Sequence, residues 1–252
     1  MTRIILHGYL GAMGRVLTAL AEGRKNSVEI VAGVDIAKPK NPAPFPVFKD
    51  ISVCDMPADI ILDVSAAKAV PGCLDYAVRT HTNVIVCTTG LDENTLEKLN
   101  EASKTVAVLR SANMSLGVSL LKNLVKRAAG LLYEEGFDIE IVEKHHINKT
   151  DAPSGTALML ADAANEAAGG GLKYIYDRNG NPGKRQPDEL GIHSVRGGTI
   201  VGEHSVIFAG RDETIELSHT AYSREIFAIG ALKAAKFLTG KPAGLYSMDD
   251  LT

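Results

Sequence analysis

Cysteine is scarce in this chain of 252 residues, where Cys54, Cys73 and Cys87 are the only three. Their positions show none of the paired spacings that bind zinc, and an odd number does not build a disulfide framework. So few cysteines in a chain of this length are typical of a reducing compartment. We therefore expect a cytoplasmic protein without disulfides.

Long runs of charged or of apolar residues are missing as well. No basic run is longer than a pair and the net charge at pH 7 is -3, so the sequence predicts no nucleic-acid partner. The apolar stretch at the start of "MTRIILHGYLGAMG" ends at glycines after a few residues. It is too short for a secretion signal or a membrane span, and we expect neither. The 45% hydrophobic fraction is enough for one large domain or two modest ones.

The first part of the chain alternates between apolar, β-branched runs and stretches with helical spacing. The predicted strands are "RIILHG", "SVEIVAGVD", "DIILDVSA", "NVIVCTTG" and "TVAVLRSAN". Such alternation is typical of an α/β fold with a doubly wound parallel sheet, here Rossmann-like. Ligands of these sheets bind beyond the carboxyl ends of the strands, so the strand exits are the predicted binding edge.

Gly8, Gly11 and Gly14 follow the first strand and open a helix, a variant of the dinucleotide fingerprint. Glycines there let a pyrophosphate approach the amides of the helix start. Asp35 ends the second strand about twenty residues later, where a carboxylate can accept from a ribose hydroxyl. The combination favours a nicotinamide cofactor over the alternative, an ordinary tight turn with three glycines.

Asp35 also bears on the choice between NADH and NADPH. A carboxylate repels a 2′-phosphate, which favours NADH, yet Lys38 and Lys40 are close enough in sequence to neutralise a phosphate. The sequence therefore favours NADH, and NADPH stays the alternative. The proline-rich segment "AKPKNPAPFPVFKD" is either a loop over the adenosine side of the site or a plain surface connector.

Beyond residue 113 the pattern changes to longer alternating β segments, "FDIEIVEKHH", "TIVGEHSVIFAG" and "DETIELSHTA". They predict a second, α+β domain with a mixed sheet. The alanine-rich helix after residue 224 is expected to return to the first domain, which gives a dinucleotide-binding domain of 1–113 with 224–252 and a substrate and oligomerisation domain of 114–223. The glycine-rich stretch 169–191 reads as a long loop, either a lid or a disordered surface loop.

The stretch "EKHHINKTDAPSGTA" is the densest group of chemical side chains. The turn at Ser154, Gly155 and Thr156 starts a helix whose free amides can bind a carboxylate, assisted by the ammonium of Lys149. His145 and His146 then have a substrate to act on. The alternatives are a turn that only caps the helix and histidines that only pack at a strand end. We expect no metal, because no third ligand has a fitting spacing.

These segments, together with "GYLGAMG", "CTTG", "SANMSLGV", "GIHSVRGGTIVGEH" and "SREIFAIGA", resemble the 4-hydroxy-tetrahydrodipicolinate reductase family, long called dihydrodipicolinate reductase. The resemblance runs over nearly the whole chain, and the double-histidine motif carries most of its specificity. It implies NAD(P)H-dependent reduction of 4-hydroxy-tetrahydrodipicolinate, with loss of water, in lysine and diaminopimelate biosynthesis. It also implies a homotetramer built by the sheets of the second domain.

The resemblance further implies roles for individual residues. His145 would be the catalytic acid or base, Lys149 a proton donor and His146 a substrate contact, and which of the first two delivers the proton is open. Ser154, Gly155 and Thr156 would hold a substrate carboxylate. The implied cofactor contacts are Gly8, Tyr9, Leu10, Gly11, Ala12, Met13, Asp35, Cys87, Thr88, Thr89, Ser111, Ala112, Asn113, Met114 and Arg224.

Two residues depart from the family pattern. Cys87 stands where glycine is frequent, and Met114 where phenylalanine is frequent, so the packing around the nicotinamide is expected to differ in detail. Two other functions stay open: a Rossmann reductase of another small imino or keto acid, and a non-catalytic dinucleotide sensor. A short-chain dehydrogenase is excluded, since the chain has no Tyr-x-x-x-Lys.

Overall fold

The structure is a computed structural model that describes residues 1–23, 27–39, 41–180 and 183–251. Two compact units divide the chain, Met1–Leu116 with Glu225–Thr252, and Gly117–Arg224. The first limit lies three residues after the boundary expected from the sequence, and the second lies one residue after it. The assignment of cofactor binding to one unit and substrate binding to the other stays a prediction. None of the described helices is long and apolar enough to cross a bilayer.

The first unit contains a seven-stranded parallel sheet in the order β12-β6-β5-β4-β1-β2-β3. Its strands are β1 (Thr2–His7), β2 (Val28–Val34), β3 (Val47–Phe48), β4 (Ile60–Asp63), β5 (Asn83–Val86), β6 (Ala107–Arg110) and β12 (Gly244–Tyr246). Its helices are α1 (Ala12–Glu22), α2 (Val70–Thr80), α3 (Glu93–Ala102) and α6 (Glu225–Leu238).

Successive residues of the central strands enter two separate apolar cores, as they must when both faces of a parallel sheet are covered. Ile4 and Leu6 pack in the core that includes residues of α1 and α6, whereas Ile5 packs in the core that includes residues of α2 and α3. All three side chains are fully buried. The predicted Rossmann-like α/β fold is confirmed. The short strands β3 and β12 were not predicted, because two or three residues show no periodicity.

The second unit has a five-stranded mixed sheet in the order β11-β10-β7-β9-β8. Its strands are β7 (Asp138–His145), β8 (Lys173–Ile175), β9 (Glu189–Arg196), β10 (Gly202–Ala209) and β11 (Thr214–Ala221), and its helices are α4 (Leu116–Leu132) and α5 (Gly155–Ala167). β7 pairs parallel to β9 and antiparallel to β10. The predicted mixed sheet is confirmed. Along β7 every second side chain is buried, so the strand has one face in the core.

The stretch 169–191, expected to be a long loop, is partly strand. It contains β8 and the first residues of β9, which pair in parallel. Arg178 donates to Glu140 at 2.9 Å, and Arg185 donates to the same carboxylate at 3.0 Å, so both arginines fasten the segment to β7. Its glycines and charged residues favour a loop, so the sequence does not predict the three-residue strand β8. Asn181 and Pro182 lie outside the described residues.

The close approach of α6 to the chain before α4 gives a test of the packing of the first unit. A Cβ at Gly230 would lie 1.7 Å from the carbonyl oxygen of Met114. We expect Gly230→Ala to lower the free energy of unfolding by about 2 kcal/mol, the usual scale of overpacking. Gly72→Ala is the matched control, since Gly72 lies in α2 with nothing within 4 Å of a Cβ. This variant should gain up to about 1 kcal/mol from helix propensity. Urea unfolding measures both, and equal stabilities would contradict the close contact.

Candidate active site

The loop after β1 in the first unit has a backbone that only glycine permits. Gly8 has φ +89°, and a Cβ there would lie 2.7 Å from Cα of Ser65. A Cβ at Gly14 would lie 2.4 Å from the carbonyl oxygen of Gly8. The first turn of α1 therefore packs directly on the loop, with Gly11 at its N-cap. The arrangement fits a phosphate group, which binds at helix starts with closely approaching backbone.

Asp35 lies beside this loop at the end of β2. Its carboxylate accepts from the amide of Leu10 at 3.1 Å and from the amide of Ala37 at 3.0 Å. The same carboxylate lines a cavity of ≈ 760 Å³ together with Gly11 and Lys38. Pro39, Asn41 and the residues up to Phe45 also line it, so the proline-rich segment borders the space next to Asp35. Lys40 lies outside the described residues.

The other cofactor candidates of the first unit follow β1, β5 and β6 at the same sheet edge. Tyr9 and Met114 are buried, and Ser111 accepts into its hydroxyl from the amide of Asn113 at 3.2 Å. Burial raises the pKa of the Cys87 thiol, with the charge of Asp63 as a second cause. The remaining candidates at this edge are Ala12, Met13, Thr88, Thr89 and Ala112.

In the second unit, Glu143 and His145 lie on the buried face of β7, two residues apart. Glu143 is fully buried and accepts on both oxygens. Arg196 of β9 donates to it twice, at 2.9 and 2.7 Å, Nδ1 of His145 lies 2.5 Å from Oε2, and the amide of Ser154 donates to Oε1 at 3.2 Å. Burial alone would raise the pKa of Glu143, but hydrogen bonds from Arg196, Ser194 and His145 lower it to about 2.

These contacts fix the orientation of the His145 ring. Because the ionised Glu143 can only accept, Nδ1 of His145 carries the hydrogen. Nε2 of the neutral ring can then accept a hydrogen bond or a proton. A Cβ at Gly202 would lie 3.1 Å from Nε2, so the glycine keeps the space beside that nitrogen open. Burial lowers the pKa of His145, against the raising effect of Glu143, with the charges of Lys149 and Arg196 adding to the decrease.

His204 of β10 packs against the imidazole ring of His145. The two imidazoles meet edge to face with centroids 5.1 Å apart. His204 is buried and its Nε2 lies 2.9 Å from Oγ of Ser154. Burial lowers the pKa of His204 to about 4, with the neighbouring His145 as the next cause. His204 is therefore neutral at neutral pH and acts as a polar packing partner.

His146 and Lys149 lie past the end of β7, and Arg224 lies past the end of β11. β7 ends at His145, so His146 lies outside its alternation of buried and exposed side chains. Lys149 forms an ion pair with Asp151 at 2.8 Å. Arg224, expected among the cofactor contacts, belongs to the second unit, and its Nη2 lies 3.3 Å from Nε2 of His146. The structure thus groups Arg224 with the expected substrate residues.

The helix start at α5 corrects one premise about the anion site. Ser154 is the N-cap, and its hydroxyl accepts from the amide of Ala157 at 3.1 Å. The expectation that its own amide is available to an anion is wrong, because that amide donates to Glu143. Gly155, the first helical residue, is exposed, with nothing within 4 Å of a Cβ. Gly155 and Thr156 therefore remain as the candidate carboxylate contacts.

Sequence reasoning missed Glu143, Arg196 and His204. The signal for Glu143 was present, since a residue two before His145 on a strand shares its face. Arg196 and His204 come from strands more than fifty residues away in sequence, and only the register of β9 and β10 with β7 brings them together: His145 pairs with Arg196, and Glu143 with His204.

The sequence matches two family models over almost its full length. "Dihydrodipicolinate reductase, N-terminus" covers residues 2–114, and "Dihydrodipicolinate reductase, C-terminus" covers residues 117–252. Curated relatives named 4-hydroxy-tetrahydrodipicolinate reductase include one from Caldanaerobacter subterraneus subsp. tengcongensis, 52% identical over 100% of this chain and 98% of its own length. Another, from Clostridium tetani, is 47% identical over 99% of this chain and 96% of its own.

Solved structures agree on the fold. The dipicolinate-bound dihydrodipicolinate reductase from Paenisporosarcina sp. TG-14 superposes with a TM-score of 0.84 at 23% identity and covers 100% of both chains. An aspartate dehydrogenase from Thermotoga maritima reaches 0.54 at 11% identity, covering 96% of this chain and 98% of its own. At these identities the likeness concerns architecture alone. The two family models and the full-length relatives, however, show that the chain belongs to the dihydrodipicolinate reductase family.

Proposed function

We propose that this protein reduces 4-hydroxy-tetrahydrodipicolinate to tetrahydrodipicolinate, with loss of water, using NADH or NADPH. The relatives that carry this activity in their names match the chain from end to end, the first at 52% identity. The single structural observation behind the proposal is His145, oriented by the buried Glu143–Arg196 pair near the start of α5. Such an imidazole is suited to acid-base chemistry on a carboxylate-bearing substrate.

The first unit would hold the nicotinamide cofactor. The glycine loop and the start of α1 would contact the pyrophosphate, and Asp35 would accept from the ribose hydroxyls. When bound, the cofactor supplies a hydride to a carbon of the substrate. The negative charge of Asp35 favours NADH over NADPH. Arg15 and Lys38 line the same cavity, however, and could accommodate the 2′-phosphate of NADPH.

The second unit would hold the dicarboxylate. One carboxylate would lie at the amides of Gly155 and Thr156, where the helix dipole favours negative charge. Lys149 and Arg224 supply the cationic groups of this region, and His146, which accepts from Arg224, would be a further contact. Two carboxylates each need a counter-charge, and these residues provide enough of them.

The proton that completes the reduction would come from His145 or from Lys149. In the free protein the lowered pKa of His145 favours its neutral form at neutral pH, so the ring must gain a proton, aided by the negative substrate, before it can act as an acid. The ammonium of Lys149 is the other candidate donor, and it forms an ion pair with Asp151 at 2.8 Å. The two donors predict different pH profiles.

We place the reaction in lysine and diaminopimelate biosynthesis and in the cytoplasm, and we propose a homotetramer, all three following the family resemblance. The alternative functions are another imino or keto acid as substrate and a dinucleotide sensor without turnover. Oxidation of NADH by the purified protein with freshly generated 4-hydroxy-tetrahydrodipicolinate decides among them. Absence of turnover, with NADH still bound, would leave the sensor and the reductase of another substrate.

Replacing Asp35 by alanine should weaken NADH binding by about 1 to 2 kcal/mol, the value of charge-assisted hydrogen bonds, and NADPH binding less or not at all. Calorimetric titration with both cofactors measures the difference. Equal losses would show that Asp35 does not contact the ribose hydroxyls.

Replacing Thr156 by valine keeps the shape of the side chain and removes its hydroxyl. We expect a higher KM for the dicarboxylate and an unchanged affinity for NADH, because the residue would contact substrate only. Steady-state kinetics and NADH titration separate the two effects, and a defect in NADH affinity would assign the turn to the cofactor instead.

The His145→Gln variant should lower kcat by about 10²- to 10⁴-fold, the range of lost acid-base catalysis, with NADH affinity intact. Lys149→Ala should lower kcat and raise KM, and His146→Gln should act mainly on KM. If His145 is the acid, kcat/KM of the wild type falls as pH rises, starting below about 6.5, the ordinary pKa of histidine. A profile that is flat there assigns the proton to Lys149. Near-normal turnover in both His145→Gln and Lys149→Ala would refute the catalytic reading.

The Glu143–Arg196 pair predicts a pH dependence of stability. The pKa of Glu143 falls from its model-peptide value of 4.5 to about 2 on folding, so its stabilising effect is complete above pH 4.5 and disappears as pH falls toward 2. Arg196→Met should cost about 3 kcal/mol at pH 7, and the deficit should shrink by pH 3. Urea unfolding at both pH values tests this, with the exposed Arg211→Met as control. A deficit independent of pH would contradict it.

A further inference from the structure

Besides Asp35, a second carboxylate, that of Asp63, lies at a strand end in the first unit. Asp63 ends β4 after three apolar, fully buried residues and is itself 0% exposed. Burying a carboxylate costs several kcal/mol unless hydrogen bonds or charges compensate. A residue that served packing alone at this point would be apolar like its three predecessors.

Asp63 joins three successive strand exits. Its Oδ1 accepts from Oγ of Ser65 at 2.5 Å, and its Oδ2 accepts from Oγ1 of Thr88 at 2.5 Å. Nδ1 of His7, the residue before the glycine loop, lies 2.8 Å from Oδ1 but is poorly aligned for a hydrogen bond. Hydrogen bonds to one carboxylate thereby hold the exits of β4 and β5, beside the end of β1, at the edge where ligands of parallel sheets bind.

The direction of these hydrogen bonds matters for a ligand. An ionised carboxylate only accepts, so the hydroxyl hydrogen of Thr88 is committed to Asp63, and its oxygen can only accept from anything else. The donors that a nicotinamide nucleotide offers are its ribose hydroxyls and its carboxamide NH₂. β4 and β5 lie on one side of β1 in the sheet, whereas β2, with Asp35, lies on the other. The two carboxylates therefore flank the two halves of a dinucleotide.

A metal ion would be the other use of this cluster, since ligand atoms of His7, Asp63 and Cys73 lie within 4.8 Å of one another. Both oxygens of Asp63 already accept from hydroxyls, however. Burial, and then the charge of Asp63, raise the pKa of Cys73 well above its ordinary value, so the sulfur stays a thiol. A protonated thiol is a poor metal ligand.

We propose that Asp63 is a positioning residue for the nicotinamide carboxamide of the cofactor, and that it acts by orienting the hydroxyl of Thr88 as an acceptor. The proposal rests on the proposed function in that the cofactor is a nicotinamide dinucleotide. In Asp63→Asn one of the two accepting oxygens becomes an NH₂ that must donate, which reverses the contact with Thr88 or the contact with Ser65. Where the NH₂ faces Thr88, the hydroxyl hydrogen of Thr88 turns toward the ligand.

The test compares two ligands, NADH and ADP-ribose, which lacks the nicotinamide. Asp63→Asn should raise the Kd of NADH about tenfold, the value of one or two hydrogen bonds, and change that of ADP-ribose less than about twofold. Asp59→Asn is the matched control: it makes the same change at the other end of β4, where Asp59 binds Arg3. It should leave both Kd values unchanged. Asp35→Ala should weaken both ligands.

The coupling to Thr88 is tested with Thr88→Val and Thr88→Ser. The valine variant should lose NADH affinity about as much as Asp63→Asn, the serine variant should retain it, and the double variant Asp63→Asn with Thr88→Val should be no worse than either single one. If Asp63→Asn does not fold, Thr88→Val against Thr88→Ser decides. Normal NADH affinity in Thr88→Val, or equal losses for NADH and ADP-ribose in Asp63→Asn, would overturn the role of Asp63. A wild type that binds neither NADH nor NADPH would refute the proposed function instead.

Discussion

The geometry of the second unit depends on one fully buried carboxylate, Glu143. Four donor groups fill its two oxygens, two from the guanidinium of Arg196 and one each from His145 and the amide of Ser154. Because the three donor residues come from three different elements, the carboxylate connects β7, β9 and the start of α5. The orientation of the His145 ring and the position of the α5 helix start are thus set by the same charge. A protonated Glu143 would lose an acceptor site and loosen both together.

A similar device recurs in the first unit. Asp63 is buried at a strand end and is held by hydroxyl groups from two loops, and Asp35 accepts from two backbone amides of the segments it joins. In each case a loop that contributes to a proposed binding surface is fixed by a carboxylate on the rigid sheet. Loops alone would sample several conformations, whereas charge-assisted hydrogen bonds to a strand restrict them to one. Glu143 and Asp63 would in this way preorganise proposed ligand contacts without touching the ligand, whereas Asp35 would also contact the ribose.

Much of the fold was predictable from the sequence, because its signals are local. The five inner strands of the first sheet show apolar runs between helical stretches, and β7 shows a strict alternation. The short strands β3, β8 and β12 were not predictable, since their pairing comes from the neighbouring strand and not from their own pattern. In the site, the double-histidine stretch and the glycine loop were found from spacing. Arg196 and His204 were not, because their closeness to Glu143 is a matter of register between distant strands. The sequence predicts that the amide of Ser154 binds a ligand, because spacing along the chain does not show that the buried Glu143 accepts from that amide.

The return of the chain to the first unit has a consequence for its biosynthesis. α6 contributes Ala228, Leu232 and other residues to one of the two cores of the first sheet, and β12 adds the last strand beside β6. A ribosome therefore releases the second unit, which is continuous in sequence, before the first unit can be completed. During that interval the apolar face that α6 will cover is exposed, as is the edge of β6. α6 and β12 thus close the part of the protein proposed to bind the cofactor, so a chain terminated before α6 would expose an open sheet to chaperones and proteases.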